Sequence, residues 1–418
     1  MKVRIMRGAH EIGGSCVELD AGGSRIVLDV GKPLWAGWND TVPLPPVPGL
    51  ADGDDPSLAG VVISHSHFDH YGLLPQVDSR VPLYIGREAA AVIGASAFFS
   101  PAGLHLDPTG YLVDREPFRL GAFTITPYLV DHSAFDAYAL LVEGEGRHLF
   151  YTGDIRGHGR KASLFDRLLG DPPRPVDVML CEGTHLRPAD DDHADEPPRT
   201  EDDVELSLAQ RMSDADGAVV VVSSAQNIDR LVTVYRACKR AGRTLVTDLY
   251  TATVAHSTGR ATIPQPGFPG FQVYVPNRQR VLVKESGEFS RLDLIDGCRV
   301  FPEELAAAPG AFTLLMPSSA IPELVRSKVL DGGVVAWSLW PGYLEDAGGM
   351  RLPESLEREC IPLVIDHVSG HAPVADLQRL ATALNPGRLV PIHTEASDRY
   401  GEFFDSAEIH ADGEWWEV

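Results

Sequence analysis

An apolar run that leads directly into a cluster of histidines and aspartates constrains this chain more than any other feature. Residues 61–72 have the sequence VVISHSHFDHYG. On an extended backbone, residues two apart point to the same side, so His65 and His67 can converge on one metal ion. Asp69 and His70 lie past the turn, where they can face a second ion. Because zinc prefers imidazole and carboxylate ligands, the segment predicts a metal site at a strand end.

Further ligands are expected elsewhere in the chain, because one loop cannot close two metal sites. Apolar runs also lead into His132, Asp154 and His393. A single histidine or aspartate at a strand end is more often structural than a ligand. The order of these three residues behind the first motif favours the ligand role instead.

Together these motifs resemble those of the metallo-β-lactamase superfamily, in the same order along the chain. The resemblance implies an αββα sandwich with a metal site at one edge. Asp29, in the segment LDVG, is similar to the superfamily's early strand-end aspartate, which supports the site from behind the ligands. The positions that match the ligand motifs are His65, His67, Asp69, His70, His132, Asp154 and His393.

The middle and the end of the chain resemble one branch of this superfamily, the β-CASP nucleases, which insert a Rossmann-like cap domain into the sandwich. Glu182, in CEGT, matches the acidic residue that follows a strand in that branch. His371, in SGHA, and His393 match its C-terminal histidines, and 222–227 and 316–322 resemble serine-bearing strand ends of the cap. The expected fold class is therefore α/β, a metallo-β-lactamase αββα sandwich with an inserted Rossmann-like β-CASP cap.

Changes of pattern and composition along the sequence indicate the domain boundaries. Residues 206–345 alternate strand and helix patterns, which predicts a parallel sheet with helices on its faces and identifies the cap. Residues 190–205 are rich in acids and contain a Pro-Pro pair, which predicts a solvated linker. Residues 1–189 and 346–418 are then the two parts of the sandwich, and the second part includes a strand at Leu363–Ile365.

The expected chemistry is hydrolysis at phosphorus by two zinc ions, with manganese as the alternative metal. Two such ions about 3.5–4 Å apart hold a hydroxide between them and stabilise an in-line displacement. The resemblance implies that His371, oriented by Glu182, is the general acid for the leaving oxygen, as acid catalysis requires. Asp69, Glu182 and His371 are therefore the residues expected to be essential for catalysis. The first ion is assigned to His65, His67 and His132, the second to Asp69, His70 and His393, and Asp154 is the bridge.

Other residues are candidates for holding the substrate. Ser318 and Ser319, at the end of a predicted cap strand, offer hydroxyls and free backbone N–H groups to a phosphate, or serve as ordinary helix caps. Arg156, followed by Arg160 and Lys161, either supplies positive charge near the site or is solvated surface charge, the commoner role of such residues.

The expected function is cleavage of single-stranded RNA. Within the branch that the chain resembles, a histidine at the last motif accompanies RNA-processing members, so His393 favours RNA. Hydrolysis of single-stranded DNA or of a small phosphoester or ester is the alternative. A non-catalytic RNA-processing scaffold is the third hypothesis, although such scaffolds usually lose ligands that are all present in this chain. The sequence leaves endonuclease and 5′-exonuclease action open.

Charge and cysteine usage limit the partners. The net charge is −23, which disfavours a polyanion, but the acids avoid the predicted cap, where acidic and basic residues nearly balance. We therefore expect weak, salt-sensitive RNA binding, or help from a partner such as a second copy in a homodimer or an RNA-processing protein. Five dispersed cysteines and the lack of an apolar segment long enough to cross a bilayer predict a cytoplasmic protein with no membrane partner.

Overall fold

The chain forms two compact units in the computed structural model, which describes residues 1–37, 40–186, 199–345 and 351–418. The first, here called the core unit, comprises the described residues of Met1–Ala97, Pro101–Pro198 and Gly370–Val418. The second, here called the cap unit, comprises the described residues of Phe98–Ser100 and Arg199–Ser369.

The core unit contains two mixed sheets, whose strands are numbered here along the chain. The first sheet has the order β19-β1-β2-β3-β4-β5-β6, and its pairs from β3 to β6 are parallel. Its strands are β1 (Lys2–Arg7), β2 (Cys16–Ala21), β3 (Ser24–Leu28), β4 (Leu58–Val62), β5 (Leu83–Gly86), β6 (Gly110–Leu112) and β19 (Trp416–Glu417).

The second sheet of the core unit has the order β18-β11-β10-β9-β8-β7. Here β10, β11 and β18 run parallel, and the remaining pairs are antiparallel. Its strands are β7 (Phe118–Leu120), β8 (Phe123–Leu129), β9 (Tyr138–Gly144), β10 (Arg147–Tyr151), β11 (Val178–Glu182) and β18 (Arg388–Ile392).

The core unit has four layers, and a hydrophobic cluster lies between each pair of adjacent layers. One cluster joins side chains of both sheets, such as Ile5 and Leu140, so the sheets pack face to face. A second cluster packs helical side chains including Ala89 onto the outer face of the first sheet. A third packs Leu168 and Leu377 onto the outer face of the second sheet. This is the αββα sandwich expected from the sequence, and its helices are α1 (Phe68–Tyr71), α2 (Arg87–Ser96), α3 (Ala162–Gly170), α11 (Val374–Leu384) and α12 (Tyr400–Phe403).

The cap unit is built on one parallel sheet with the order β14-β13-β15-β12-β16-β17. Valine-rich strands without alternation are typical of a sheet buried on both faces, and all residues of Val219–Val222 are buried. Its strands are β12 (Val219–Val222), β13 (Thr244–Asp248), β14 (Phe271–Tyr274), β15 (Phe312–Met316), β16 (Val334–Trp337) and β17 (Leu363–Ile365). Its helices are α4 (Glu201–Asp214), α5 (Ile228–Ala241), α6 (Leu249–Ser257), α7 (Asn277–Ser286), α8 (Pro302–Ala307), α9 (Ile321–Arg326) and α10 (Arg351–Arg358).

The structure differs from the sequence-based expectation at both ends of the cap. Residues 201–205, expected in the linker, form the start of α4, because Thr200 and Asp203 make a reciprocal capping box there. Residues 190–198 of the predicted linker lie outside the described residues. The strand Leu363–Ile365, expected in the sandwich, instead pairs with β16 at the edge of the cap sheet.

None of the helices in the described ranges combines the length and the hydrophobicity that a membrane span requires.

Candidate metal centre

Strand ends of both sheets in the core unit carry the predicted metal-binding residues. His65 and His67 follow β4, and α1 immediately after them presents Asp69 and His70. His132, Asp154 and His393 follow β8, β10 and β18 of the second sheet. Successive strand ends meet at one edge of a sandwich, so residues far apart in sequence converge there.

The first group comprises His65, His67, His132 and Asp154, whose candidate ligand atoms all lie within 4.8 Å of one another. Nε2 of His132 is 3.0 Å from Nδ1 of His67, and Nε2 of His65 is 3.5 Å from Oδ2 of Asp154. The opposite ring nitrogen of His132, Nδ1, lies 2.6 Å from the carbonyl oxygen of Gly370 and donates to it. This hydrogen bond leaves Nε2 as the nitrogen available to a metal ion.

The second group comprises Asp69, His70 and His393. Oδ2 of Asp69 lies 3.1 Å from Nε2 of His393 and 3.9 Å from Nε2 of His70. Asp154 stands between the two groups, since its Oδ2 is 3.3 Å from Nε2 of His70 and its Oδ1 is 3.9 Å from Nε2 of His393. The structure thus brings together all seven residues that the sequence assigned to metal binding.

The buried polar atoms of these groups fit divalent ions. Among the described residues, Nε2 of His65, Nε2 of His70 and both carboxylate oxygens of Asp154 are buried without a hydrogen-bond partner. A buried polar atom left in this state costs about 1–3 kcal/mol, which a coordinated cation offsets. A mixed set of imidazole and carboxylate donors is the set that zinc and similar transition metals favour.

Charge states in the first group also suit metal binding. Burial, together with the neighbouring His65, lowers the pKa of His67 to about 3, and burial with neighbouring histidines likewise lowers the pKa of His132. Both rings are therefore neutral, which is the form that coordinates a cation. Burial alone would raise the pKa of Asp154, but the surrounding histidines hold it well below its usual value, so this carboxylate is ionised.

Asp29 organises the second group from behind. Its Oδ2 accepts hydrogen bonds from Nδ1 of His70 at 2.8 Å, from the Tyr151 hydroxyl at 2.7 Å and from the Ser64 hydroxyl at 2.7 Å. Its Oδ1 accepts from the backbone N–H of Ser64 at 2.7 Å. The bond to Nδ1 turns Nε2 of His70 toward Asp154. Sequence reasoning found Asp29 but missed Ser64 and Tyr151, whose only sequence signal is their position beside predicted ligands.

Two of these residues adopt the left-handed backbone conformation that is uncommon for residues other than glycine. The φ angle is 57° at Asp29 and 55° at His393. Aspartate and histidine tolerate this region better than most residues, and such conformations concentrate at functional sites. At both positions the chain turns sharply out of a strand, which aims the side chain into the centre.

Glu182 and His371 lie beside the metal groups. Glu182 is fully buried at the end of β11, and both its oxygens are 3.3 Å from Nδ1 of His371. Burial lowers the pKa of His371, but attraction to Glu182 and Asp154 outweighs burial and raises the pKa to about 9. His371 also falls within 4.8 Å of candidate ligand atoms of Asp154 and His393, so the geometry admits it as a ligand too.

A buried ion pair joins two of the loops that carry the site. Nε of Arg156 lies 3.4 Å from Oδ1 of Asp131, and both side chains are fully buried. Oδ2 of Asp131 accepts from the backbone N–H of Gly159 at 2.6 Å. Arg156 is therefore not solvated surface charge, and its positive charge is paired with Asp131. Its role as positive charge near the site stays a prediction. The sequence analysis did not identify Asp131, because the motif there was interpreted for its neighbour His132.

Ser318 and Ser319 lie in a 3-10 turn after β15, in the cap unit, and both are exposed. The turn lacks a side-chain cap. Their contact with substrate stays a prediction.

Comparison with known protein families agrees with this architecture. The profile of the beta-lactamase superfamily domain matches residues 25–231. The profile of the Zn-dependent metallo-hydrolase RNA specificity domain matches residues 363–401, a segment that includes His371 and His393.

Curated relatives and a solved structure match as well. A ribonuclease of Thermus thermophilus is 32% identical over 44% of this chain and 44% of its own length. Ribonuclease J of Sinorhizobium meliloti is 25% identical over 82% of this chain and 58% of its own, so the chain spans about half the length of these two relatives. Ribonuclease J of Mycobacterium tuberculosis is 25% identical over 94% of this chain and 68% of its own.

A crystal structure of a protein of unknown function from Enterococcus faecalis superposes with a TM-score of 0.78 at 20% identity, covering 99% of both chains. That likeness establishes a shared fold along the whole chain. Taken with the two matched domains and the ribonuclease J relatives, it places the chain in the metallo-β-lactamase superfamily, within the β-CASP branch to which ribonuclease J belongs.

Proposed function

We propose that the protein is a zinc-dependent ribonuclease that hydrolyses phosphodiester bonds of single-stranded RNA. The observation that carries the proposal is the pair of buried histidine and aspartate groups that share Asp154, with the Glu182–His371 pair beside them. Two metal groups with a separate proton donor beside them form an arrangement that supports hydrolysis at phosphorus.

In this proposal one zinc ion is held by His65, His67 and His132, a second by Asp69, His70 and His393, and Asp154 is shared. When bound, such a pair supplies an activated water and stabilises negative charge at the phosphoryl group. Manganese is the alternative metal for the same donors.

The protein's own residues supply the proton and the orientation. Since the pKa of His371 is raised to about 9, this side chain is protonated at neutral pH and acts as the acid for the leaving oxygen. The buried Glu182 carboxylate holds the ring in place and stabilises its charged form. Asp29 and the Gly370 carbonyl hold His70 and His132 so that these rings do not rotate away from the centre.

RNA is the favoured substrate on the basis of the relatives and of one matched domain. The C-terminal match is to a domain described by its RNA specificity, and the curated relatives are named as ribonucleases. Exposed Ser318 and Ser319 are proposed to bind a phosphate of the RNA chain. The near balance of charge in the cap leads us to expect salt-sensitive binding, in the cytoplasm, with a second copy or a processing protein as the proposed partner.

A substrate panel tests the proposal. Metal-loaded protein is incubated with a labelled single-stranded RNA, a single-stranded DNA of the same sequence, and a chromogenic phosphodiester and ester, with products mapped from both ends. We expect cleavage of RNA, and loss of that cleavage in Asp69→Ala and His371→Ala variants that keep a wild-type melting transition. Faster turnover of DNA or of a small ester would replace RNA with the alternative substrate class. If the metal-loaded, folded protein cleaves none of these substrates, the result would indicate a non-catalytic scaffold.

A further inference from the structure

The hydroxyl of Thr184 lies between the predicted acid and a predicted metal ligand. Its Oγ1 is 3.1 Å from Nδ1 of His371 and 2.9 Å from Nδ1 of His393. Its own backbone N–H donates to Oε2 of Glu182 at 3.2 Å. One residue thus contacts three members of the proposed machinery, although the CEGT segment that contains it was interpreted for Glu182 alone.

A threonine hydroxyl suits this position because its oxygen has two acceptor lone pairs as well as one proton. Nε2 of His393 faces Asp69 at 3.1 Å, so Nδ1 is the nitrogen on the opposite side of the ring from the second metal group. When Nδ1 of His393 donates to Thr184, Nε2 keeps its lone pair for a cation. The same arrangement holds His70 through Asp29 and His132 through the Gly370 carbonyl.

His371 makes the matching contact from the other side. Its Nδ1 lies close to the Thr184 hydroxyl and to both oxygens of Glu182, so these groups hold the proton on that nitrogen. The proton delivered to the leaving oxygen then comes from Nε2. Because Thr184 also donates to Glu182, it fixes the carboxylate and the ring relative to each other.

The backbone around Thr184 is held firmly. In the parallel pairing of β11 with β18, Glu182 lies opposite Ile392, so the residues that follow each strand are neighbours. A side chain on Gly183 would place its Cβ 1.9 Å from the hydroxyl oxygen of Tyr400, and that hydroxyl donates to the Cys181 carbonyl at 3.1 Å. The turn that presents the threonine therefore has little freedom.

We propose that Thr184 is a positioning residue that fixes the ring orientation and tautomer of both His371 and His393, and so couples the proton donor to the second metal group. This inference rests on the proposed function for the role of His371, whereas the part that concerns His393 stands on metal binding alone.

Four variants test the inference. Thr184→Val keeps the shape and removes the hydroxyl, Thr184→Ser keeps the hydroxyl, and Thr184→Ala differs from the serine variant by the hydroxyl alone. Thr382→Val, on α11 of the same unit, is the matched control, since its hydroxyl donates to the Gln378 carbonyl of its own helix. The readouts are zinc affinity by chelator competition, the absorption spectrum of the cobalt-loaded protein, and kcat and KM on RNA.

For Thr184→Val we expect zinc affinity at the second group and kcat each to fall about 10- to 100-fold, the usual effect of removing a partner of a ligand or of a catalytic ring. KM is expected to stay near the wild-type value, and the cobalt spectrum to change. Thr184→Ser is expected to restore both quantities. If the valine variant does not fold, the serine and alanine variants carry the same comparison.

Wild-type zinc affinity and kcat in Thr184→Val would overturn the inference, as would equal impairment of the serine and alanine variants. Absence of RNA cleavage by the wild-type protein would overturn the proposed function instead. In that case the zinc affinity and the cobalt spectrum still decide whether Thr184 positions His393.

Discussion

Both carboxylate oxygens of Glu182 lie 3.3 Å from Nδ1 of His371, although 189 positions separate the two residues in the chain. Burial opposes a charge on either side chain. Their mutual attraction nevertheless raises the pKa of His371 and lowers that of Glu182, so the pair is ionised. His371 must be protonated to act as an acid. We therefore expect RNA cleavage at pH values below the pKa of His371, and its loss as the pH rises through that value.

Glu182→Gln is therefore expected to move the alkaline limb of kcat to lower pH. Glutamine keeps the size of the side chain but removes the charge that favours protonated His371. We expect kcat at neutral pH to fall at least about 10-fold, and His371→Ala to lose about 10²- to 10⁴-fold, the usual contribution of a general acid. The measurement is the pH dependence of RNA cleavage. Glu408→Gln, which removes a half-exposed carboxylate, is the control, and an unmoved limb in Glu182→Gln would contradict the assignment.

Metal content should divide according to the two groups. Asp69 belongs to the second group only, whereas Asp154 is shared, so Asp69→Asn is expected to lose about one ion per chain and Asp154→Asn more than one. Elemental analysis of protein dialysed against a weak chelator measures this. Asp331→Asn, at an exposed position of the cap unit, should keep the wild-type content. Equal loss in the two site variants would mean that the groups do not bind separate ions.

Removing the Tyr151 hydroxyl should weaken metal binding without removing a ligand. That hydroxyl donates to Oδ2 of Asp29 at 2.7 Å, and the same oxygen accepts from His70. Tyr151→Phe leaves Asp29 less well held, so we expect about a 10-fold loss of zinc affinity at the second group. Chelator competition measures the loss, with Tyr128→Phe as the control in the same sheet. Unchanged affinity would show that Ser64 and His70 alone suffice to orient Asp29.

The sequence located the predicted ligands because their signal is local. Alternation along β4 puts His65 and His67 on one side, and strand ends carry the later residues to the same edge. Both patterns follow from backbone geometry and need no tertiary information. The strands Phe123–Leu129 and Phe312–Met316 likewise coincide with runs of β-forming residues in the sequence.

The supporting residues could not be found in this way. Tyr151 meets Asp29 only because the two sheets pack face to face, and Thr184 meets His371 and His393 only because distant segments of the chain come together. A hydroxyl also has no motif of its own. The strand Leu363–Ile365 was placed in the wrong sheet because a run of three apolar residues does not specify its neighbour. Residues 201–205 were taken for a linker because acids in the first turn of a helix resemble an acidic loop until the capping box of Thr200 and Asp203 is recognised.

Arg156 is the clearest case in which burial changes the interpretation of a residue, and it yields the last prediction. Its side chain and that of Asp131 are both fully buried as an ion pair, beside Asp154 and His132 in sequence. Arg156→Met would remove the guanidinium that faces the buried Asp131 carboxylate, which is expected to lower the free energy of unfolding by about 3–5 kcal/mol. The double variant Arg156→Met with Asp131→Asn should recover part of this loss, because asparagine places no charge at the buried position. Arg147→Met, which breaks an exposed pair with Asp177, should cost at most about 1 kcal/mol. Urea unfolding of the metal-free proteins measures all three, and a loss at Arg156 no larger than at Arg147 would show that the buried pair does not hold the two loops together.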